Sequence, residues 1–193
     1  DFDGTLCDTN HIKRASLISA LNALSFGPNN EMERYADKFI AESGVSRELK
    51  LFRDFAKTQS TERIQALIDE YSIITIERLQ YVVLDKKTID CLNRFKLKNS
   101  LFILTGGRIS EVVTVLQKTQ NIDLFDAVIC AQMPKHYYLS ALSTLQETVF
   151  FGDSKLDEEA ARKSGVQFNF VNEFSSLRDG EVRDETVGLE RYL

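Results

Sequence analysis

The chain has 193 residues, enough for one domain or for one domain that carries a smaller insertion. Its hydrophobic fraction of 43% is ordinary for a protein that buries a core, and its formal net charge is −5. An acidic chain argues against nucleic acid as the main partner, because nucleic-acid-binding surfaces are usually basic. Since no apolar run approaches the roughly 20 residues that span a bilayer, and no signal peptide is recognisable, we expect a cytoplasmic protein with no membrane partner.

Cysteine and histidine are sparse. Cys7, Cys91 and Cys130 are scattered and form no Cys-x-x-Cys pair, which fits a reducing compartment. His11 and His136 are too few and too far apart for a typical His-based metal site. We therefore expect neither a disulfide framework nor a metal centre built on histidine.

The chain opens with Asp-Phe-Asp-Gly-Thr-Leu-Cys-Asp over residues 1–8. Alternate side chains of an extended segment point the same way, so Asp1 and Asp3 can approach one polar site if the chain bends after Asp3. Gly4 permits that bend because it lacks a Cβ. Two close carboxylates repel each other unless a cation or a proton intervenes. The pattern predicts either a metal-bound pair or an acid/base pair with separated pKa values.

A long helical segment follows. Apolar residues recur at helical spacing, and the segment is interrupted near residues 27–30 and 44–46. Ser46 and Thr61 are the expected N-caps, and only the run 73–76 reads as a possible short strand. We predict an all-helical domain over residues 10–87. It is either a plain helical bundle or a lid inserted between two motifs.

After Lys87, short apolar runs alternate with helical patterns. The predicted strands cover residues 100–104, 125–130, 148–151 and 166–171, and a closing helix is expected around Phe174 and Leu177. Strands that alternate with helices indicate right-handed crossovers and a parallel sheet. The fold class is therefore α/β, with a core domain formed by residues 1–9 and 88–193.

Polar residues follow several of these strands. In open parallel sheets, ligands bind beyond the carboxyl ends of the strands. The topology would bring together at one rim Asp1, Asp3, Thr105, Lys135, Asp153 and Asp157.

The opening Asp-Phe-Asp-Gly-Thr-Leu-x-Asp resembles the first motif of the haloacid dehalogenase superfamily. Thr105 after Phe-Ile-Leu, then Lys135, then Gly-Asp-Ser-Lys-Leu-Asp at 152–157 resemble the other three motifs in their order. The resemblance implies a Rossmann-like core with a parallel sheet. It also implies a helical cap of the first type, as in phosphoglycolate phosphatase-like and beta-phosphoglucomutase-like members.

The resemblance implies roles for the carboxylates. Asp1 would be the nucleophile that forms a phosphoaspartate, and Asp3 the general acid and base. Mg²⁺ would be held by Asp1, the backbone carbonyl of Asp3 and Asp153, with Asp157 binding directly or through water. An Asp at position 3 favours phosphoester chemistry over dehalogenation.

Other residues would bind the substrate. Thr105 and the backbone near Gly106 would bind the phosphoryl oxygens, and Lys135 would neutralise charge. The order Pro134-Lys135 departs from the commoner Lys-Pro, so Lys118 and Lys155 remain alternatives. In the cap, we expect Arg47 to touch the substrate, while Lys50 and Arg53 lie on a solvated helix face.

These expectations describe a magnesium-dependent phosphatase that acts on a small phosphorylated metabolite, as a monomer or a homodimer. The alternatives are a sugar phosphomutase with the same core motifs, or a phosphatase-like module of a larger protein. A bacterial receiver domain is disfavoured by the motif order and by the helical insertion. Because the family's nucleophile follows a buried strand, we also expect the natural chain to extend upstream of Asp1.

Overall fold

The computed structural model describes residues 1–42 and 44–171. They form two compact units, one made of Asp1–Thr9 with the chain from Val82 onward, the other of Asn10–Tyr81. The first unit is mixed α/β and the second is all-helical. That the helical unit acts as a cap stays a prediction. The closing helix expected around Phe174 and Leu177 lies outside the described residues.

Four helices build the helical unit: α1 (Asn10–Ala23), α2 (Asn29–Ala41), α3 (Arg47–Phe55) and α4 (Thr61–Leu79). Ser46 caps α3, since its hydroxyl accepts from the Leu49 N–H at 3.3 Å. The cap of α4 is Ser60 rather than the expected Thr61. The possible strand at 73–76 is wrong, because α4 continues through it with Thr75 and Leu79 on its buried face. None of the described helices is both long and apolar enough to cross a bilayer.

The core of the helical unit is aliphatic and aromatic. Leu17, Leu21, Leu51 and Leu67 are fully buried, and the Phe39 and Tyr71 rings meet edge to face at 6.0 Å. Burial of these side chains is the main source of stability for such short helices, which are marginal in isolation.

Lys50 does not lie on a solvated face as expected, whereas Arg53 does. Lys50 is buried, and its Nζ donates to the backbone carbonyls of Phe39, at 2.6 Å, and Glu42. Arg53 forms ion pairs with Glu42 and Asp54. The prediction for Lys50 failed because the end of α2 supplies backbone acceptors beside α3 that helical periodicity does not show.

The α/β unit alternates helices and short strands. In chain order these are α5 (Lys86–Lys96), β1 (Phe102–Thr105), α6 (Ile109–Lys118), a 3₁₀ turn (Ile122–Leu124), β2 (Ala127–Cys130), α7 (Lys135–Ser143), β3 (Val149–Gly152), α8 (Lys155–Ser164) and β4 (Gln167–Phe170). The α/β class predicted from the alternation is confirmed.

All the described strand pairs are parallel. β1 pairs with β2, with Thr105 opposite Cys130, and β3 pairs with β4. Within the described residues these pairs form two two-stranded sheets rather than the single sheet expected. Asp1 approaches the second pair, since its backbone nitrogen donates to Phe151 O at 2.6 Å. The chain start therefore lies at the carboxyl end of β3.

Candidate active site

The first residues fold into a tight turn. The Gly4 N–H donates to Cys7 O at 2.9 Å, and the Leu6 N–H donates to Phe2 O at 2.9 Å. Gly4 has a φ of +79°, and a Cβ on it would lie 2.6 Å from Asp153 Cγ. Only glycine combines that conformation with so close an approach. The turn thus brings the backbone after Asp3 against the Asp153 carboxylate.

Three carboxylates converge beside this turn. Ligand oxygens of Asp1, Asp153 and Asp157 all lie within 4.8 Å of one another. Asp153 follows β3, and Asp157 stands in the first turn of α8. A Cβ on Gly152 would lie 2.5 Å from the Asp157 Cβ, so this glycine lets the helix start close to the strand. Asp1 therefore shares one site with two residues more than 150 positions away in the sequence.

Lys135, the first residue of α7, joins two of these carboxylates. Its Nζ lies 3.0 Å from Asp1 Oδ1 and 2.7 Å from Asp157 Oδ1. Lys135, rather than the alternatives Lys118 or Lys155, is thus the lysine that the structure places at the nucleophile candidate. One ammonium does not balance three carboxylates, so the cluster keeps an excess of negative charge.

The carboxylates of Asp153 and Asp157 differ in proton affinity. Burial, together with the charge of Asp157, raises the pKa of Asp153 to about 6. Burial would also raise the pKa of Asp157, but the Lys135 ammonium and hydrogen bonds from Lys135 and Ser154 hold it below its ordinary value. A cation at this position would favour the ionised form of Asp153. The all-oxygen donor set suits a hard divalent ion such as Mg²⁺.

Three hydroxyl side chains, those of Thr5, Thr9 and Ser154, position the carboxylates, and none of them was assigned this role from the sequence. Thr5 Oγ1 donates to Asp153 Oδ1 at 3.1 Å, and both side chains are buried. The buried Thr9 hydroxyl donates to Asp3 Oδ1. Neither contact has a local sequence signal, since each depends on how the turn packs.

Ser154 is the exception. Its hydroxyl accepts from the Asp157 N–H at 3.2 Å, and the Asp157 carboxylate accepts from Ser154, which forms a capping box. The spacing Ser-x-x-Asp before a helix is a recognisable signal for this arrangement. The box fixes the carboxylate of Asp157 at the helix start.

Thr105 and Gly106 lie at the carboxyl end of β1. Thr105 is buried, and its Oγ1 accepts from the Gly107 N–H at 3.0 Å. Gly106 is exposed, and a Cβ there would meet no atom within 4 Å. Backbone N–H groups beside open space can bind an anionic oxygen. Their part in substrate binding stays a prediction.

Arg47 belongs to the helical unit. Its guanidinium lies 4.7 Å from the centre of the Tyr71 ring, a cation–π distance. The side chain is half-buried at the start of α3. Contact between Arg47 and a substrate stays a prediction, as does binding of a metal by the Asp3 carbonyl.

Comparison with known proteins agrees with the residue pattern. The family model of haloacid dehalogenase-like hydrolases matches residues 1–171. A search of curated protein sequences finds no significant match.

Solved structures share the fold. CbbY from Rhodobacter sphaeroides, in complex with phosphate, has a TM-score of 0.73 at 16% identity and covers 97% of this chain and 91% of its own. A provisional beta-phosphoglucomutase from Thermotoga maritima has a TM-score of 0.69 at 20% identity, with coverages of 99% and 93%. A subfamily IA hydrolase from Geobacter sulfurreducens has a TM-score of 0.63 at 18% identity, with coverages of 92% and 86%. The match of the family model over residues 1–171 shows that the chain belongs to the haloacid dehalogenase-like hydrolase family.

Proposed function

We propose that this protein is a magnesium-dependent phosphatase that hydrolyses the phosphomonoester of a small metabolite through a phosphoaspartate on Asp1. The observation that carries the proposal is the convergence of Asp1, Asp153 and Asp157 around the Lys135 ammonium. A nucleophilic carboxylate, a hard-cation donor set and a fixed cation are the groups that phosphoryl transfer to aspartate needs.

The first step is attack by Asp1. Its Oδ1 is held by the Phe2 N–H at 2.7 Å and by Lys135 at 3.0 Å, which leaves Oδ2 for attack on phosphorus. The new Oδ2–P bond forms as the P–O bond to the leaving alcohol breaks. Asp3 gives its proton to the leaving oxygen as general acid. The hydrogen bond from Thr9 holds the Asp3 carboxylate in place for this transfer.

The second step regenerates Asp1. Asp3, now ionised, takes a proton from water as the water oxygen attacks phosphorus and the Oδ2–P bond breaks. Thr105 and the backbone near Gly106 bind the phosphoryl oxygens, and Lys135 offsets the charge that develops on them. Mg²⁺ bound by Asp1, Asp153, Asp157 and the Asp3 carbonyl would lower the repulsion between the nucleophile and the phosphoryl group.

The substrate is a small phosphorylated metabolite, and the helical unit, Asn10–Tyr81, acts as a cap that supplies contacts such as Arg47. This part is supported by the solved relatives. CbbY was crystallised with phosphate, and a mutant of it with xylulose-1,5-bisphosphate. We expect the protein to act in the cytoplasm as a monomer or homodimer.

The test is phosphate release from a panel of small phosphate esters, with Mg²⁺ and with excess chelator. We expect release that requires Mg²⁺ and that falls at least about a thousandfold in Asp1→Asn, because the substituted amide cannot act as the nucleophile. The matched control is Asp123→Asn, the same change at an exposed residue. Equal activity of Asp1→Asn and wild type would contradict the proposal.

One further assay separates a phosphatase from a sugar phosphomutase. Glucose 1-phosphate is supplied with a trace of glucose 1,6-bisphosphate, and both inorganic phosphate and glucose 6-phosphate are measured. Phosphate as the main product supports the phosphatase. Isomerisation without phosphate release would assign the mutase instead.

A further inference from the structure

A groove of about 470 Å³ lies on the helical unit, between α1 and the end of α4. Its wall on α1 is mainly aliphatic, with Ile12, Ala15 and Ile18 one to two turns apart. The end of α4 contributes Arg78, and Tyr81 follows it. These residues all belong to the helical unit and differ from those of the carboxylate cluster.

The groove is basic although the chain as a whole carries a net charge of −5. His11, Arg14 and Arg78 line it, and the described lining includes no acidic side chain. Arg14 is already paired, since its Nε lies 2.5 Å from Asp37 Oδ1. The hydrogen bonding of Arg78, the other arginine of the lining, therefore matters most for what the groove can bind.

Arg78 has one described side-chain acceptor in the groove wall. Its Nη2 donates to Ser19 Oγ at 2.8 Å, and that hydroxyl in turn donates to Ala15 O at 3.0 Å. The Nη1 group is buried, and no described atom accepts from it. A buried guanidinium N–H without an acceptor is unfavourable, because it has lost its hydrogen bonds to water and made none to the protein. A turn of the guanidinium toward an oxyanion in the groove would give that N–H an acceptor.

The other lining residues favour a ligand that has an apolar part. Tyr81 is 86% exposed, so the face of its ring is accessible beside Arg78. Apolar groups of a ligand would gain by covering this ring and the aliphatic side chains of Ile12 and Ile18. We infer that the groove binds a small organic anion, with its carboxylate, sulfonate or phosphate on Arg78 and its apolar part against Tyr81.

The test uses benzenesulfonate, an aromatic anion that the proposed phosphatase reaction cannot hydrolyse. Backbone amide signals of ¹⁵N-labelled protein are followed during titration. We expect saturable shifts at residues 11–19 and 78–81, and none there with benzamidine, which has a similar ring but the opposite charge. Shifts elsewhere only, or equal shifts with both compounds, would overturn the inference.

Two variants locate the contacts. Arg78→Met keeps a long apolar stem but loses the guanidinium, and we expect benzenesulfonate to bind about tenfold more weakly or worse. Ala15→Phe leaves Arg78 intact and fills the groove from an exposed helix position, so binding is expected to disappear. Arg34→Met, an exposed arginine on α2, is the matched control with unchanged affinity. If folded Arg78→Met binds benzenesulfonate with wild-type affinity, this site is excluded. If Arg78→Met does not fold, wild-type affinity of Ala15→Phe excludes it instead.

Discussion

At the scale of single residues, Gly4 shows how a missing side chain shapes the site. Its left-handed backbone is disfavoured for other residues, and a Cβ would overlap the Asp153 carboxylate. Both penalties act together, and the carboxylate cannot move away without disturbing its hydrogen bond from Thr5. The site is thus built on a close approach of backbone to side chain.

We predict that Gly4→Ala lowers the free energy of unfolding by about 3 kcal/mol or more, since strain of about 1 kcal/mol adds to a buried overlap. Two controls separate these causes. Gly165 has a φ of +70° and open space around it, so Gly165→Ala should cost only about 1 kcal/mol. Gly106→Ala meets neither penalty and should cost less. Urea unfolding measures all three, and equal losses for Gly4→Ala and Gly165→Ala would show that the contact with Asp153 is unimportant.

At the scale of elements, Lys50 joins two helices. It stands on α3, and its Nζ donates to the carbonyls of Phe39 in the last turn of α2 and of Glu42, its C-cap residue, where helices leave carbonyls without intrahelical partners. The side chain is only 6% exposed, and burial lowers its pKa to about 8. The lysine therefore supplies hydrogen bonds to the carbonyls at the end of α2, but burial makes its charged form less favourable than in water.

We predict a pH dependence that Lys50→Met removes. Between about pH 8 and the ordinary lysine pKa of 10.5, the unfolded chain holds a proton that the folded protein has released. Stability from this group therefore rises with pH across that window, by up to about 3 kcal/mol. The measurement is urea unfolding of both proteins from pH 7 to 10.5. A constant difference between them over this range would refute the assignment.

At the scale of the whole molecule, the carboxylate cluster links metal binding to stability. The pKa of Asp153 rises from 3.8 to about 6 on folding, so the folded protein binds an extra proton between these values. Without metal, the ionised side chain destabilises the fold fully above about pH 6, and the effect fades toward pH 4. A bound cation would remove this cost at neutral pH.

We predict that metal-free Asp153→Asn gains up to about 3 kcal/mol over wild type at pH 7.5, and that the gain disappears near pH 4. Added Mg²⁺ should stabilise wild type and Asp123→Asn, but stabilise Asp153→Asn far less, because a ligand is lost. Thermal unfolding with Mg²⁺ or chelator measures both effects. Equal stabilisation of all three proteins by Mg²⁺ would argue against a metal at this cluster.

The sequence by itself determined the α/β class, the helical insertion and the family. Alternation of apolar runs with helical patterns is local information, and so is the order of motifs from Asp1 to Asp157. The Gly4 bend and the Ser46 cap were also readable, since backbone conformation and capping depend on near neighbours.

Only the tertiary structure decided which groups touch. It placed Lys135 between Asp1 and Asp157, set the Thr5 and Thr9 hydroxyls on Asp153 and Asp3, and buried Lys50 under the end of α2. Periodicity assigns a residue to one face of its own helix. It does not tell which element packs on that face, and hydrogen bonds and pKa values depend on those distant neighbours.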